Sequence, residues 1–381
     1  MEKYIKSLPI AKTTIIYLLH RELTELPDLT KFVKLTTLVC SHNKITSIDF
    51  SRLPKSLNKI VCSYNLITEF DNLPDNIVEI DCSNNKIHTL DNLSESVTTL
   101  SCANNYITEL NNLPINLVYL ECSYNKITLL NNLPAKLKYL LSNNILINNF
   151  EHLPVSLTSL YCTNNKISRL DNLPANLRNL NCNKNIISEL IMLPNNLVNL
   201  SCSNNQIARL DNLPATLCDL NCSFNQIIEL NNLPNELKHL NCNCNKISEL
   251  NNLPTNIKYL NCDNNNIIEL SYLPGELDSL SCAYNNIVKL NNLPAKITVL
   301  QCYSNNIDEL NNLPVTLDEL YCGNNKINKL NYLPDNLSIL DCCSNKITEL
   351  NPIPSKLVKL YYERNEIFNT LVLPSTVNII N

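Results

Sequence analysis

The sequence predicts an elongated solenoid of stacked, mostly β coils, and three observations support that fold class. The chain of 381 residues has an internal period of twenty residues that runs from Cys62 to Cys342. Sixteen of its nineteen prolines stand at a single offset within that period. Each period also has apolar residues at six offsets, which in one period are Leu113, Leu117, Leu120, Cys122, Ile127 and Leu130. One period cannot bury such a face alone, so neighbouring periods must stack.

Each period is predicted to contain one short strand and an extended return limb. In the segment LVYLEC, Leu120 and Cys122 alternate with Tyr119 and Glu121, which is the two-residue period of a strand. The limb contains Pro114, which lacks a backbone N–H and favours extended geometry in the residue before it. The limb is therefore not a helix interior, and Leu120 and Cys122 face inward.

The two ends of the chain depart from the period. Residues 1–33 keep the aliphatic spacing but have Leu18 and Arg21 in the cysteine and asparagine positions. We interpret them as an N-terminal cap with a degenerate first repeat, because a first strand without a cap leaves an exposed edge. The regular solenoid is predicted to span residues 34–370, and a terminal half repeat is predicted at 371–381.

An asparagine three residues after each inward cysteine is predicted to hold the turn that follows the strand. Asn65, Asn125 and Asn225 are examples. The side-chain carbonyl and amide can bond to backbone groups left unpaired where the chain leaves the strand, so the column would link coil to coil. In one interior period Ser142 and Ile145 replace the cysteine and the asparagine, and a locally distorted coil is expected there.

The composition argues against several classes of partner. A formal net charge of -5 gives no broad cationic field, which argues against binding to nucleic acid or to an acidic membrane. Two glycines, Gly275 and Gly323, are too few for a phosphate-binding loop. The apolar run around Ile15 to Leu19 is too short to span a bilayer. We expect a soluble protein in the reducing cytoplasm.

Fifteen of the eighteen cysteines occupy the inward offset and are predicted to be small buried apolar residues. In-register side chains on stacked strands point the same way, which does not suit a disulfide, and a single row of thiols offers no tetrahedral zinc site. Cys218, Cys244 and Cys343 lie outside this offset. We expect Cys244 and Cys343 to face solvent, and whether either is redox-active stays open.

No catalytic constellation is evident. The five histidines are expected to be scattered over different faces, without the cysteine or serine neighbour that nucleophilic catalysis needs. The HExxH, P-loop and GxSxG spacings are not found. We predict a protein that is not an enzyme and that uses no cofactor, no metal and no small-molecule substrate.

The residues Leu117, Leu120, Cys122, Asn125 and Ile127 form the pattern LxxLxCxxNxI, which resembles the leucine-rich repeat over nearly the whole chain. The twenty-residue period with Leu-Pro on the limb is similar to the shortest class of these repeats, known from bacterial effector proteins. The composition, rich in Asn, Ile and Lys and poor in Gly, resembles repeat arrays of giant DNA viruses. The resemblance implies an α/β-class but mostly β solenoid, a curved right-handed coil with a parallel concave sheet and extended convex limbs.

The family geometry implies that the concave face is formed by positions 119, 121, 123 and 124 and their equivalents every twenty residues. Ten of the sixteen tyrosines fall in these positions, mostly among Asn and Ser. Such a mixture is typical of protein-binding surfaces, although tyrosine also suits the solvated face of a strand for packing reasons alone. The candidate partner-binding residues are Tyr119, Glu121, Tyr124, Tyr139, Tyr161, Tyr259, Tyr284, Tyr303 and Tyr321.

We therefore expect a non-catalytic protein–protein interaction module that binds a protein partner on its concave face. Acidic residues beside the tyrosines, among them Asp81, Asp263 and Asp341, favour a partner of basic character. Two alternatives stay open. The chain could be a self-associating structural array, or it could be the substrate-recognition arm of a ubiquitin ligase.

Overall fold

The computed structural model describes residues 2–290, 292–330, 332–350, 352–367 and 377–379. Two units are distinguished, Met1–Ile186 and Ile187–Asn381. The half repeat predicted at 371–381 lies outside the described residues except for 377–379. Within the described ranges, no helix combines the length and the apolar character needed to cross a membrane.

The first unit has a short N-terminal helix, α1, at Glu2–Ser7, followed by parallel strands. Each strand pairs in register with the next, from Ile15 opposite Thr37 to Ser159 opposite Asn179. The strands are β1 Ile15–Tyr17, β2 Thr37–Val39, β3 Lys59–Val61, β4 Glu79–Asp81, β5 Thr99–Ser101, β6 Tyr119–Glu121, β7 Tyr139–Leu141, β8 Ser159–Tyr161 and β9 Asn179–Asn181.

The second unit repeats the same parallel, in-register pairing, from Asn199 opposite Asp219 to Lys359 opposite Asn378. Its strands are β10 Asn199–Ser201, β11 Asp219–Asn221, β12 His239–Asn241, β13 Tyr259–Asn261, β14 Ser279–Ser281, β15 Val299–Gln301, β16 Glu319–Tyr321, β17 Ile339–Asp341, β18 Lys359–Tyr361 and β19 Asn378–Ile379. Each unit is therefore a parallel-strand solenoid, and the predicted fold class is confirmed.

The core of each unit consists of the apolar offsets predicted from the sequence. Strand alternation turns the middle residue of each strand inward, as at Leu120, and Cys122 follows on the same side. Both are fully buried, as are Leu117 and Ile127. Burial of this many aliphatic side chains, at roughly 25 cal/mol per Å² of apolar surface, is the main source of stability.

The return limbs are extended, as predicted, and they also turn after the proline. The backbone N–H of Leu117 donates to the Pro114 carbonyl at 3.0 Å, and other coils repeat this turn. A short 3-10 helix at Phe50–Arg52 occurs where the cysteine spacing is two residues longer. Asp49 caps it by accepting a hydrogen bond from the Ser51 N–H at 3.0 Å.

The distortion expected around residue 142 is confined to the turn after the strand. Strand β7 stays in register with both of its neighbours. In a regular coil, the isoleucine two residues after the asparagine position donates its N–H to the asparagine of the next coil. Here the donor to Asn165 is Ile145 itself, at 3.1 Å, while Asn143 accepts from the Thr163 N–H at 2.8 Å.

Candidate binding face

The face predicted from the sequence consists of the first and third residues of each strand and the two residues after the inward cysteine. We call these side chains the strand face. In the coil of β6 they are Tyr119, Glu121, Ser123 and Tyr124. The two units are described separately because the candidate residues fall into one group in each.

In the first unit, the predicted residues occupy three consecutive coils. Tyr119 lies directly opposite Tyr139, and Tyr161 occupies the third position of the next strand, β8. Tyr124 follows β6 in the turn and is well exposed, as is Tyr139. Glu121 shares the third-position row with Tyr161, and Leu141 of β7 lies between them. The structure therefore brings these five side chains into one patch.

In the second unit, the rings of Tyr284 and Tyr303 meet edge to face, with centroids 5.2 Å apart. Tyr321 on β16 donates its hydroxyl to Glu319 at 2.9 Å. Burial, followed by this hydrogen bond, raises the pKa of Tyr321 to about 12. Tyr259 lies on β13, between His239 and Ser279, and no ring contact joins it to the other tyrosines among the described residues.

The strand face is narrower than predicted, because the residue directly after the cysteine is often buried. Ser123 is only 3% exposed, and Gly323 in the same position is buried as well. Small residues suit this position because the next coil packs against it, as where the Ser41 and Ser63 hydroxyls lie 2.9 Å apart. Tyr303 occupies this position and is half-buried.

Two carboxylates on the strand face are partly withdrawn from water. Burial raises the pKa of Glu121, although the Ser123 N–H donates to its Oε1 at 3.1 Å and opposes that rise. Burial also raises the pKa of Asp263, whose Oδ1 accepts hydrogen bonds from the Ser281 hydroxyl and the Ala283 N–H, both at 2.7 Å. Because these donors are neutral, a cationic group on a partner would be favoured at either site.

The residue two after each inward cysteine has left-handed backbone geometry, and we call these residues the turn column. Its φ is 56° at Tyr124 and 52° at Phe224. Asparagine tolerates this geometry better than other residues with a Cβ. It fills the column at Asn84, Asn104, Asn144, Asn164, Asn204, Asn264 and Asn324.

Four coils have an aromatic residue in the turn column instead, and their rings are between 51% and 59% exposed. They are Tyr64, Tyr124, Phe224 and Tyr284. The three tyrosines were expected on this face, whereas Phe224 escaped prediction. The signal that could have found it is the run of asparagines at this offset, which indicates a left-handed turn.

Two histidines expected to be scattered lie together. The rings of His20 and His42 stack with centroids 4.4 Å apart, and His42 stacks on Tyr64 at 4.3 Å. All three belong to the turn column of consecutive coils. Tyr17, in the third position of β1, is a further exposed residue of the strand face. Both features escaped prediction, the histidine stack because it arises only when two coils are superposed.

The predicted role of the asparagine column is confirmed. The Asn125 side-chain amide donates to the carbonyl of Cys122 in its own coil and to that of Cys102 in the preceding coil, both at 3.0 Å. Its carbonyl oxygen accepts from the Ile107 N–H at 3.0 Å. Asn225 makes the same three bonds, so each asparagine satisfies the backbone of two coils.

The inward cysteines are buried, as predicted. Burial raises the pKa of Cys40 and of Cys202 to about 12. Cys244 and Cys343 are half-buried rather than solvent-facing, and burial raises the pKa of both thiols. Since reactive thiols have a lowered pKa, the surroundings of these two disfavour the redox role considered for them.

The strand face offers groups for contact rather than for chemistry. His239 hydrogen-bonds through Nδ1 to Asp219, its neighbour on the adjacent strand β11. Within the residues that the structure describes, no three His, Cys, Asp or Glu side chains are grouped so that they could hold a metal ion. The available groups are aromatic rings, hydroxyls, amides and carboxylates, which suit recognition of another surface.

The repeat pattern, the stacked parallel strands and the asparagine column define a class of protein. This chain belongs to the leucine-rich repeat family and is a mostly β solenoid of that family. The family model described as leucine-rich repeats in two copies matches residues 33–75. Leucine-rich repeat proteins are in general non-catalytic interaction scaffolds.

Solved structures place the chain more narrowly. It is similar to YopM from Yersinia enterocolitica WA-314, with 30% identity over 97% of this chain and 91% of that one, at a TM-score of 0.78. The leucine-rich effector protein YopM from Yersinia pestis is 28% identical over 80% of this chain and 87% of that one, at a TM-score of 0.70.

A giant-virus protein, the circular leucine-rich repeat protein CroV588, is 27% identical over 87% of this chain and 60% of that one, at a TM-score of 0.57. No curated protein matches the chain by sequence. The resemblance to short bacterial-effector repeats and to giant-virus repeat arrays is confirmed.

Proposed function

We propose that this protein binds a protein partner through its strand face, which is the concave side in leucine-rich repeat geometry. The observation that carries the proposal is the set of aromatic residues in the turn column. Left-handed geometry costs a residue with a Cβ about 1–2 kcal/mol, and asparagine reduces that cost. Tyr124 and Phe224 adopt this geometry while at least half of each side chain stays exposed. Tyr64 and Tyr284 contact neighbouring rings of the chain, whereas no such ring contact involves Tyr124 or Phe224 among the described residues. Contact with a partner explains these two.

The neighbourhood of these rings supports the same function. Tyrosines in adjacent coils form a contiguous patch beside Tyr124, made by the half-buried Tyr119 and the exposed Tyr139 and Tyr161. Aromatic side chains of this kind supply much of the binding energy at protein interfaces, because they bury a large rigid area and keep one polar group. In the second unit, the paired rings of Tyr284 and Tyr303 offer a smaller patch of the same chemistry.

The carboxylates of the strand face favour a partner with basic side chains. Glu121 stands in the first patch, and Asp263 stands one coil before Tyr284. Both are held by neutral donors, as described above. A lysine or arginine brought against either would stabilise the ionised carboxylate and lower its pKa towards the ordinary range.

The proposal is tested by comparing two tyrosine variants in quantitative affinity capture from cell extract. The strand-face variant replaces Tyr119, Tyr139 and Tyr161 by alanine. The control replaces Tyr272 and Tyr332, which lie on the return limbs and are 77% and 88% exposed. We expect a protein captured by the wild type and by the control, and at least about tenfold less of it captured by the strand-face variant. Equal capture by all three proteins would contradict a strand-face site.

The same preparations test self-association. Under the proposed function, the mass measured by light scattering stays that of one chain as the concentration is raised. A mass that rises with concentration, and that falls back in the strand-face variant, would assign the tyrosine patch to contacts between copies instead.

A further inference from the structure

A second surface of the first unit shows an order that the proposed function does not use. We call the residues four after each inward cysteine the edge column, because they begin the segment that leaves the turn. From residue 44 to residue 186 this column alternates lysine with an apolar residue in every coil. Its members are Lys44, Leu66, Lys86, Tyr106, Lys126, Leu146, Lys166 and Ile186.

The alternation is specific to this column and this unit. A duplicated forty-residue block would make other columns alternate too, but the first strand positions of the same coils do not. Those positions are Thr37, Lys59, Glu79, Thr99, Tyr119, Tyr139, Ser159 and Asn179. The edge column of the second unit does not alternate either. It is formed by Gln206, Gln226, Lys246, Asn266, Asn286, Asn306, Lys326 and Lys346.

The members of the edge column are stacked at the spacing of the coils. The backbone N–H groups of Lys86, Lys126 and Lys166 each donate to the isoleucine carbonyl of the preceding coil at 2.8–2.9 Å. Parallel coils are about 4.8 Å apart, so successive lysines are separated by about 10 Å with one apolar residue between them. Like charges are thereby kept apart along the row.

Three of the lysines have no carboxylate partner within the part of the chain that the structure describes. Lys44 pairs with Glu22, whereas no ion pair involves Lys86, Lys126 or Lys166 among the described residues.

Most apolar members of the row are open to solvent. Tyr106, Leu146 and Ile186 are exposed, whereas Leu66 is half-buried. The Lys126 ammonium lies over the Tyr106 ring at 5.2 Å from its centroid, so the two side chains already form a contact along the row. The row therefore presents unpaired cations and apolar groups in turn.

We propose that this row binds an acidic amphipathic helix of a partner protein, laid along the edge column with one helical turn for each coil. A helix rises about 5.4 Å per turn, close to the coil spacing of about 4.8 Å. Residues at i, i+4, i+7 and i+11 share one helix face. A helix whose face alternates acidic and apolar residues would place a carboxylate against each lysine and an apolar side chain against each apolar member of the row.

Other backbone geometries match the row less well. In a β-strand, side chains return to one face about every 6.7 Å, which matches neither spacing in the row. A polyproline II segment repeats about every 9.3 Å and could meet the lysines, but it would leave the apolar members uncovered. The mismatch of a helix accumulates to about 2.4 Å between Lys86 and Lys166, which flexible lysine side chains can absorb.

The test uses a fluorescein-labelled helical peptide of about eighteen residues, with glutamate at i, i+7 and i+14 and leucine at i+4 and i+11. Fluorescence anisotropy measures its binding to the full chain. Changing Lys86, Lys126 and Lys166 together to glutamate should weaken binding at least about tenfold. A matched control changes Lys246, Lys326 and Lys346 to glutamate in the same column of the second unit. It should weaken binding less than about twofold, because these lysines are not separated by apolar residues.

The apolar half of the row is tested separately by changing Tyr106 and Leu146 to asparagine, which the second unit has at Asn266, Asn286 and Asn306 of this column. Binding should weaken about three- to tenfold, while its salt dependence stays unchanged because no charge is lost. Circular dichroism melts of every variant establish that it is folded before binding is compared.

Several results would overturn the proposal. They are equal weakening by both lysine variants, equal binding of a peptide with the same composition in scrambled order, and tighter binding of a proline-rich peptide with glutamate at every third residue. Binding of phosphatidylserine vesicles that the Lys86, Lys126 and Lys166 variant loses, together with no binding of the helical peptide, would assign the row to a lipid surface instead.

Discussion

Tyr124 and Asn125 are neighbours in the chain and belong to two columns that behave in opposite ways. The asparagine column is the same in nearly every coil, because its side chains complete the backbone bonding of two coils at once. The turn column changes from coil to coil, and most of its residues are exposed on a left-handed backbone. Where a side chain must complete the backbone hydrogen bonds of two coils, the same residue recurs. Where it makes no such bonds, the residue type can vary, and a contact surface is to be sought there.

The largest difference between the interior columns and the surface columns is expected in how the free energy of unfolding changes as the pH is raised. Burial raises the pKa of Cys40 to about 12, well above that of a free thiol, so the unfolded chain loses this thiol proton first. The stability contributed by the buried thiols is therefore complete below about pH 8.5 and falls as the pH rises from there to about 12. Each thiol contributes up to about 1.4 kcal/mol per pH unit to that fall. Urea unfolding between pH 7 and 11 measures it.

A single cysteine variant controls this experiment. Replacing Cys40 by alanine should make the alkaline decline shallower by up to about 1.4 kcal/mol per pH unit, while lowering stability at pH 7 through the cavity it leaves. If the two proteins lose stability in parallel above pH 9, the thiol is not buried as described.

The next effect is expected in the asparagine column. Changing Asn225 to alanine should lower the free energy of unfolding by roughly 1–3 kcal/mol, because the carbonyls of Cys202 and Cys222 and the Ile207 N–H lose their partner. The denaturant midpoint measures the loss. Changing Asn264 of the turn column to glycine is the control and should be close to neutral, since glycine also accepts the left-handed turn. If the denaturant midpoint is unchanged in both variants, the two columns do not differ in what they contribute to stability.

In the turn column, a substitution is expected to increase stability rather than to lower it. Changing Phe224 to asparagine should raise the free energy of unfolding by about 0.5–1 kcal/mol, because the backbone has a φ of 52° there and the exposed ring contributes little packing. Thermal unfolding measures the gain. The opposite change, Asn164 to phenylalanine, should lower stability by a similar amount. A loss of stability at Phe224 would show that its ring is held by the chain itself.

The smallest effect is expected on the return limb. Ser94 stands where neighbouring coils have proline, and its carbonyl accepts from the Val97 N–H at 3.1 Å just as the Pro114 carbonyl accepts from Leu117. Changing Ser94 to proline should raise stability by about 0.5 kcal/mol by restricting the unfolded chain. The Ser94 hydroxyl also donates to Asp75 at 2.8 Å, and the proline variant loses this hydrogen bond. Changing Ser94 to alanine removes the same bond without adding a proline, so the difference in stability between the two variants gives the effect of proline alone. If the proline variant is less stable than the alanine variant, this limb is not geometrically equivalent to the others.

The period, the inward residues, the extended limbs and the role of the asparagines could be predicted, because each follows from alternation, from proline chemistry or from unpaired backbone groups. The left-handed turn at Phe224 escaped prediction although the run of asparagines at that offset indicates it. Burial of Ser123 could not be predicted, because it depends on how closely successive coils approach after the strand, which a single period does not reveal. The stack of His20 on His42 escaped for a related reason, since it arises only when two coils are superposed.

Each asparagine reaches back to the coil before it, so a regular coil is completed by its successor. The Ile107 N–H finds its acceptor only when Asn125 is in place, eighteen residues further along the chain. During synthesis from the N-terminus, the newest coil on the ribosome therefore has an open end until the following one emerges. Within each unit the coils would therefore form in order from the N-terminal side, and each coil would be completed only when the next one has formed.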